Sequence, residues 1–226
     1  MAGARCNGAV VPVELGGHIL PVWTGPMAAK KKSDSPRKLN LGCGRDVREG
    51  WINLDAMALP GVDVVTDLSQ CAKTPLPFED NSVDEFLLSH LIEHIPDPLP
   101  LMQELWRIAR PGAKMQIRVP HGAHDDAWTD PTHVKPYFAR SFGYFSQPWY
   151  WRADYGYRGD WQPELVTYAV PRRRFAGQMP AQILEQVDAL RNVVTEMTVD
   201  LVAVKPLRQP KKELMQAANI KISLVE

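Results

Sequence analysis

Three cysteines in 226 residues, Cys6, Cys43 and Cys71, are too few and too widely spaced for a zinc knuckle or a disulfide framework, and no CxxC pair exists. A reducing, cytoplasmic setting fits that usage. An excess of charge is also missing: 26 Lys plus Arg balance 26 Asp plus Glu. A dedicated nucleic-acid binder neutralises phosphates with surplus cations, so nucleic acid is an unfavoured partner. The one basic cluster, Lys30-Lys31-Lys32 with Arg37 and Lys38, is flanked by Ser33 and Pro36 and reads as a solvated linker. No apolar run reaches the length of a bilayer span. The N-terminus lacks the basic stretch followed by an apolar one that marks a secretory signal, and no internal repeat is visible. What remains is a chain long enough for one sizeable core, for which a single α/β domain is the first expectation.

Residues 1–36 read as an extension. "AVVPVEL" and "HILPVW" are short apolar runs broken by Gly and Pro, as in a small hairpin, able to cover a sheet edge or to reach a second copy or partner subunit. From residue 37 to 226 a different rhythm holds. "KLNLG", "WINLD", "VDVVTDL", "VDEFLLSH" and "AKMQIRVP" are five apolar strands of the kind buried on both faces of a parallel sheet. Between the fourth and fifth, Asp97 and Pro98 start a helix whose Leu99, Met102, Leu105, Trp106 and Ala109 share a face, and Pro111-Gly112 ends it. A second helix is expected over 180–192. "TVDLVAVKP" and "IKISLVE" complete the sheet. Alternating strands and helices predict a doubly wound α/β fold, which binds ligands outside the carboxyl ends of its strands.

Leu39-Asn40-Leu41-Gly42-Cys43-Gly44 lies on that edge, and Asp55 ends the next strand. Gly42 and Gly44 allow a sharp turn and close approach of a ligand to backbone. A carboxylate at position 55 can accept both hydroxyls of a ribose, and Asp67 with Leu68 ends the third strand where a base would lie. A lone GxG is weak. A dinucleotide site needs a third glycine, where Val47 stands, and an acid about 20 residues on, so nicotinamide binding is disfavoured.

Together, "LNLGCG…GWINLD", "TDL", "LPFEDNSVDEFLLSHLIEHI" and "ELWRIARPGAKMQIRVP" resemble the successive motifs of small class I S-adenosylmethionine-dependent methyltransferases, over about residues 38–146. The resemblance implies a seven-stranded Rossmann-like sheet with its last strand antiparallel. It implies S-adenosylmethionine held by Asn40 to Gly44, its ribose on Asp55, its adenine near Asp67 and Leu68, and its methionine end near Ser89 and His90. Asn40 stands where many members carry an acid, though it can still accept a hydrogen bond.

The acceptor side is less specific. Glu93 and His94 are expected to pack the turn after the fourth strand. "PHGAHDDAWTDPTHVKPYF" holds His121, His124, Asp125, Asp126, Asp130 and His133. Such density can bind a metal or supply a base. The segment "DPTHVKPYF…SF" resembles a substrate-facing connection of the same family, which implies no metal. His133 and His121 are therefore expected as catalytic bases, with Asp130 orienting an imidazole, and His124, Asp125 and Asp126 as turn residues. A substrate-side insertion over about 121–168 holds all six tyrosines, either closing over a substrate or forming a satellite core, and includes Arg140, Arg152 and Arg158.

The function expected is methyl transfer to oxygen or nitrogen of a small molecule or glycan. The competing readings are a non-catalytic S-adenosylmethionine-binding accessory subunit and a nucleic-acid methyltransferase. Neutral charge and the lack of an Asn-Pro-Pro-Tyr-like or Pro-Cys motif weigh against the last.

Overall fold

The computed structural model of the chain describes residues 10–15, 18–23 and 35–226. Val10–Leu15 (β1) and His18–Trp23 (β2) pair antiparallel as the short hairpin read from their sequence. They belong to a unit of residues 1–35, distinct from a unit spanning 36–226. The expectation that the extension covers an edge or reaches a partner falls outside the described residues.

In the second unit, Lys38–Leu41 (β3), Ile52–Asp55 (β4), Val64–Val65 (β5) and Val83–Ser89 (β6) follow the expected order. Helix α1 covers Pro98–Ile108, and the Asp97 side chain accepts the Leu99 N–H at 3.3 Å, as the capping pattern predicted. The chain is already extended at Ala109, where Ala109–Pro120 (β7) begins, so Pro111-Gly112 lies in the strand rather than at the helix end. The turns Asp126–Thr129 (α2) and Arg172–Phe175 (α3), strand Trp161–Pro171 (β8), helix Pro180–Ala189 (α4), and strands Glu196–Ala203 (β9) and Asn219–Val225 (β10) complete the unit.

The sheet runs β10-β8-β9-β7-β6-β3-β4-β5. β9 is antiparallel to β7 and β8, and β10 is parallel to β8. This is the expected α/β Rossmann-like fold with two corrections. Among the described residues the sheet has eight strands rather than seven, and the antiparallel strand is β9, not the last one. The missed strand is β8, whose sequence WQPELVTYAVP carries a proline inside it; Pro163 sits at a register shift against β9, where a residue without N–H is tolerated. Strand order reverses at β3, with β4 and β5 on one side and β6 and β7 on the other, so the ligand crevice of such sheets opens beyond Leu41 and Ser89.

The two faces of the sheet differ. Phe86, Met115, Ile117, Val166, Val199 and Leu201 are buried with α1 and the aromatic segment, where Trp161 is fully buried, meets Phe86 edge-on at 5.5 Å and donates its indole N–H to the Met102 carbonyl at 2.9 Å. The other face pairs charges across strands: Lys38–Glu85 at 2.9 Å, Arg118–Glu196 at 2.9 Å, and Gln116 to Asp200 at 3.0 Å. Among the described residues, no helix is long and apolar enough to cross a membrane.

Candidate active site

β3 ends in a turn built on two left-handed glycines, Gly42 at φ 62° and Gly44 at φ 51°. They serve different needs. A Cβ at Gly42 would lie 2.7 Å from the Leu91 side chain, whereas a Cβ at Gly44 would meet nothing within 4 Å. Gly42 is thus required by packing, and Gly44 leaves open space beside exposed backbone. The Asp55 carboxylate closes the turn, its Oδ2 accepting the Gly44 N–H at 2.8 Å and its Oδ1 the Met57 N–H at 2.9 Å. Each oxygen keeps a lone pair for a further donor.

The other residues of this edge divide by burial. Leu41 is fully buried, so only its backbone is available to a ligand. Asn40 is placed otherwise than expected: its amide donates to the Asp46 carbonyl at 2.7 Å and to Asn53 Oδ1 at 3.0 Å, which ties the turn to β4. Cys43 is buried, and that burial, with Asp55 nearby, pushes its thiol pKa up, so it packs rather than reacts. Asp67 accepts the Ser69 N–H at 2.9 Å and the Ser69 hydroxyl at 2.7 Å, capping the turn Leu68–Gln70, whose Leu68 side chain is in the core.

After β6 the chain enters Ser89, half-buried, and His90, which takes a left-handed φ of 50° uncommon for a residue with a side chain. His90 opens a second region, a cavity of about 710 Å³ lined among others by Asp130, His133, Thr195 and Glu196. Gly42, Gly44 and Asp55 are not in its lining. His90 Nε2 lies 2.8 Å from Glu196 Oε2, and Arg118 contacts Glu196 Oε1 at 2.9 Å. The hydrogen bond to Glu196, helped by Glu93, lifts the His90 pKa to about 9, so the ring is cationic near neutral pH. Burial raises the Glu196 pKa, but hydrogen bonds from His90 and Arg118 outweigh it and leave the carboxyl below its usual value. Sequence reading missed Glu196: an acid opening a late strand carries no motif.

The three expected catalytic residues separate. His133 lines the cavity, its Nδ1 3.3 Å from the Ala127 carbonyl and its Nε2 3.9 Å from Asp130 Oδ2. Asp130 also lines it, and the hydroxyl and then the backbone N–H of Thr132 hold its carboxyl below the usual range. His121 does not belong there. It is 4 % exposed, packed edge-on against Phe138 and Tyr168, and its Nδ1 accepts the Ala123 N–H at 3.3 Å. Burial lowers its pKa to about 4, which makes it a neutral core histidine. Of the expected turn residues, His124 Nδ1 accepts the Asp126 N–H at 3.2 Å, whereas Asp125 makes no side-chain cap bond and holds Asn192 at 3.0 Å and Arg191 at 2.9 Å, and Asp126 lines the cavity.

The aromatic segment is core rather than lid. Tyr137, Phe142, Phe145, Tyr150 and Tyr157 are buried, and the Tyr150 and Tyr157 hydroxyls donate to the carbonyls of Tyr144 at 2.7 Å and Phe145 at 3.0 Å. Its anchor is Asp160, fully buried and held by Arg208 through two contacts of 2.7 Å. Arg158 pairs with Asp154 at 2.8 Å, and Arg152 stacks 4.5 Å over Trp151.

Residues 39–117 match the methyltransferase domain family. An uncharacterized methyltransferase of Mycobacterium sp. strain KMS is 39% identical over 75 residues, 31% of this chain and 30% of the relative. Another from strain JLS is 46% identical over 57 residues, 23% of each chain. The chain thus spans less than a third of the length of these relatives. In three dimensions it is similar to a SAM dependent methyltransferase from Archaeoglobus fulgidus, with a TM-score of 0.52 at 15% identity over 75% of this chain and 86% of that one. The matched segment contains the glycine turn, Asp55, Asp67, and the Ser89–His94 turn, but ends before the loop that supplies Asp130 and His133.

Proposed function

We propose, from the match of residues 39–117 to the methyltransferase domain family, that this chain binds S-adenosylmethionine at the glycine edge and methylates an oxygen or nitrogen of a small molecule or glycan. The observation that carries the reading is the open space at Gly44 beside a carboxylate with spare lone pairs. The residues fit the cofactor: Asp55 would accept the ribose hydroxyls, the backbone at Asp67–Leu68 would meet the base, and Ser89 would face the methionine end.

When bound, S-adenosylmethionine supplies a sulfonium methyl group, transferred by in-line displacement, with a leaving thioether that needs no acid. The chain's task is therefore to align the acceptor and exclude water. His90, clamped by Glu196 at 2.8 Å, contributes a paired cation to the cavity lining. A hydroxyl acceptor also needs a group to take its proton. His133, with Asp130 beside it, is the candidate in the cavity lining, and His121, buried away from it, is withdrawn from that role.

The test is formation of S-adenosylhomocysteine across a panel of hydroxyl- and amine-bearing small molecules and sugars. Turnover on one class is expected, and His133→Ala should lower it by about 100- to 10,000-fold with cofactor affinity nearly unchanged. Cofactor binding without turnover on any acceptor would favour an accessory subunit instead.

A further inference from the structure

Beside the cavity, the turn after β6 and the loop after β7 bring Glu93, His94 and His133 together, with one donor atom from each within 4.8 Å of the others. Glu93 is 2 % exposed, and neither of its carboxylate oxygens has a hydrogen-bond partner. Its nearest cation is His90, whose Nδ1 lies 3.4 Å from Oε1 without hydrogen-bond alignment. A buried carboxylate in that state is costly unless a cation or proton compensates it.

The two imidazoles are set up as ligands usually are. His94 Nδ1 is 3.0 Å from the Thr132 hydroxyl and 3.3 Å from the Thr132 carbonyl. His133 Nδ1 is 3.3 Å from the Ala127 carbonyl. A carbonyl oxygen only accepts, so each Nδ1 carries a hydrogen, which leaves Nε2 as the nitrogen that can ligate. An imidazole oriented by a carbonyl through one nitrogen and free at the other is the usual state of a metal-bound histidine. The Thr132 hydroxyl is itself fixed by donating to Asp130 Oδ1 at 2.6 Å, and the Val134 N–H donates to the Glu93 carbonyl at 2.9 Å, which docks the loop on the turn.

We propose that Glu93, His94 and His133 bind a divalent transition-metal ion of the zinc class at the wall of the acceptor cavity. Two imidazoles and one carboxylate, with a position left open, form the ligand set of catalytic zinc sites. Donors around a tetrahedral zinc stand roughly 3.4 Å apart, as bonds of about 2.0–2.1 Å require, so the trio must close by side-chain rotation. The buried Glu93 gains a second cation beside His90. His133 becomes a ligand in the loaded protein, and polarisation of an acceptor hydroxyl passes to the ion, with Asp130 beside it. The site rests on its donor set and not on methyl transfer.

The test uses the untagged full chain, stripped with chelator and titrated with Co(II) as a spectroscopic stand-in for Zn(II). A single equivalent should give visible ligand-field absorption that Zn(II) abolishes. His94→Ala and His133→Ala, checked for folding by their melting transitions, should lose it. Thr132→Val, which keeps the ligands but removes a hydroxyl that orients His94, should weaken binding by about 10–100-fold. No cobalt spectrum with the native chain overturns the site, as does an unchanged spectrum in the His94→Ala/His133→Ala double variant. Cofactor calorimetry on the same samples separates the two proposals: binding of S-adenosylmethionine without a cobalt signal removes the metal alone, and the converse removes the methyl-transfer reading alone.

Discussion

The two ends of the ligand-binding edge are built differently. At the glycine edge, polar groups are satisfied by near neighbours: Asp55 by Gly44 and Met57, Asp67 by Ser69, and Asn40 by Asp46 and Asn53. At the cavity, local contacts such as Asp130 with Thr132 are joined by partners from distant segments. His90 meets Glu196 across 106 positions, and His94 meets Thr132 across 38. The first region is a local motif whose geometry follows from its own few residues. The second exists only once β7, β9 and the aromatic segment have packed, so its integrity depends on the core beneath it.

That dependence can be tested by removing the deepest polar anchor. Arg208→Met leaves Asp160 buried and unpaired and should cost about 3–5 kcal/mol in denaturant unfolding. Arg48→Ala, on the glycine side, loses only an exposed pair at 3.4 Å with Asp46 and should cost less than about 0.5 kcal/mol. Equal losses would erase the contrast.

His121 gives the same contrast a pH signature. Its folded pKa, about 4, lies below the ordinary histidine value of 6.5, so the unfolded chain binds the proton first as pH falls. The native chain should therefore lose stability between pH 6.5 and 4, by about 2–3 kcal/mol from this residue, and show no loss from it above pH 7. His121→Phe should flatten that part of the profile. An unchanged slope would mean that the ring takes up its proton inside the fold.

At the glycine edge, Gly44→Val fills open space and forces a branched residue to φ near 51°. Affinity for S-adenosylhomocysteine should fall by about 100-fold, roughly 2.7 kcal/mol, while the His90–Glu196 cavity stays intact. The smallest effect belongs to the open sheet face: Glu164→Ala breaks the solvent-exposed pair with Lys114 at 3.4 Å and should change stability by less than about 0.5 kcal/mol.

What the sequence made legible follows the same division. β3, β4, β6 and α1 announce themselves through apolar runs, glycines and a cap, all local signals. β8 was hidden because Pro163 breaks a strand pattern that the β9 partner tolerates at a bulge. His121 and His133 look alike in sequence, both in a polar loop beside turn residues, and only packing against Tyr168 and Phe138 separates the core histidine from the cavity one. Glu93 is expected as a packing residue, which its burial matches, yet its convergence with His94 and His133 is a three-dimensional fact.

The central claim is that the glycine edge holds S-adenosylmethionine through Asp55. Calorimetric titration of the native chain and Asp55→Ala with S-adenosylhomocysteine tests it most directly. The account predicts micromolar affinity, about −8 kcal/mol, weakened by about 2–3 kcal/mol in the variant because charged hydrogen bonds to the ribose are lost. No binding by the native chain, or equal affinity in Asp55→Ala, would contradict it.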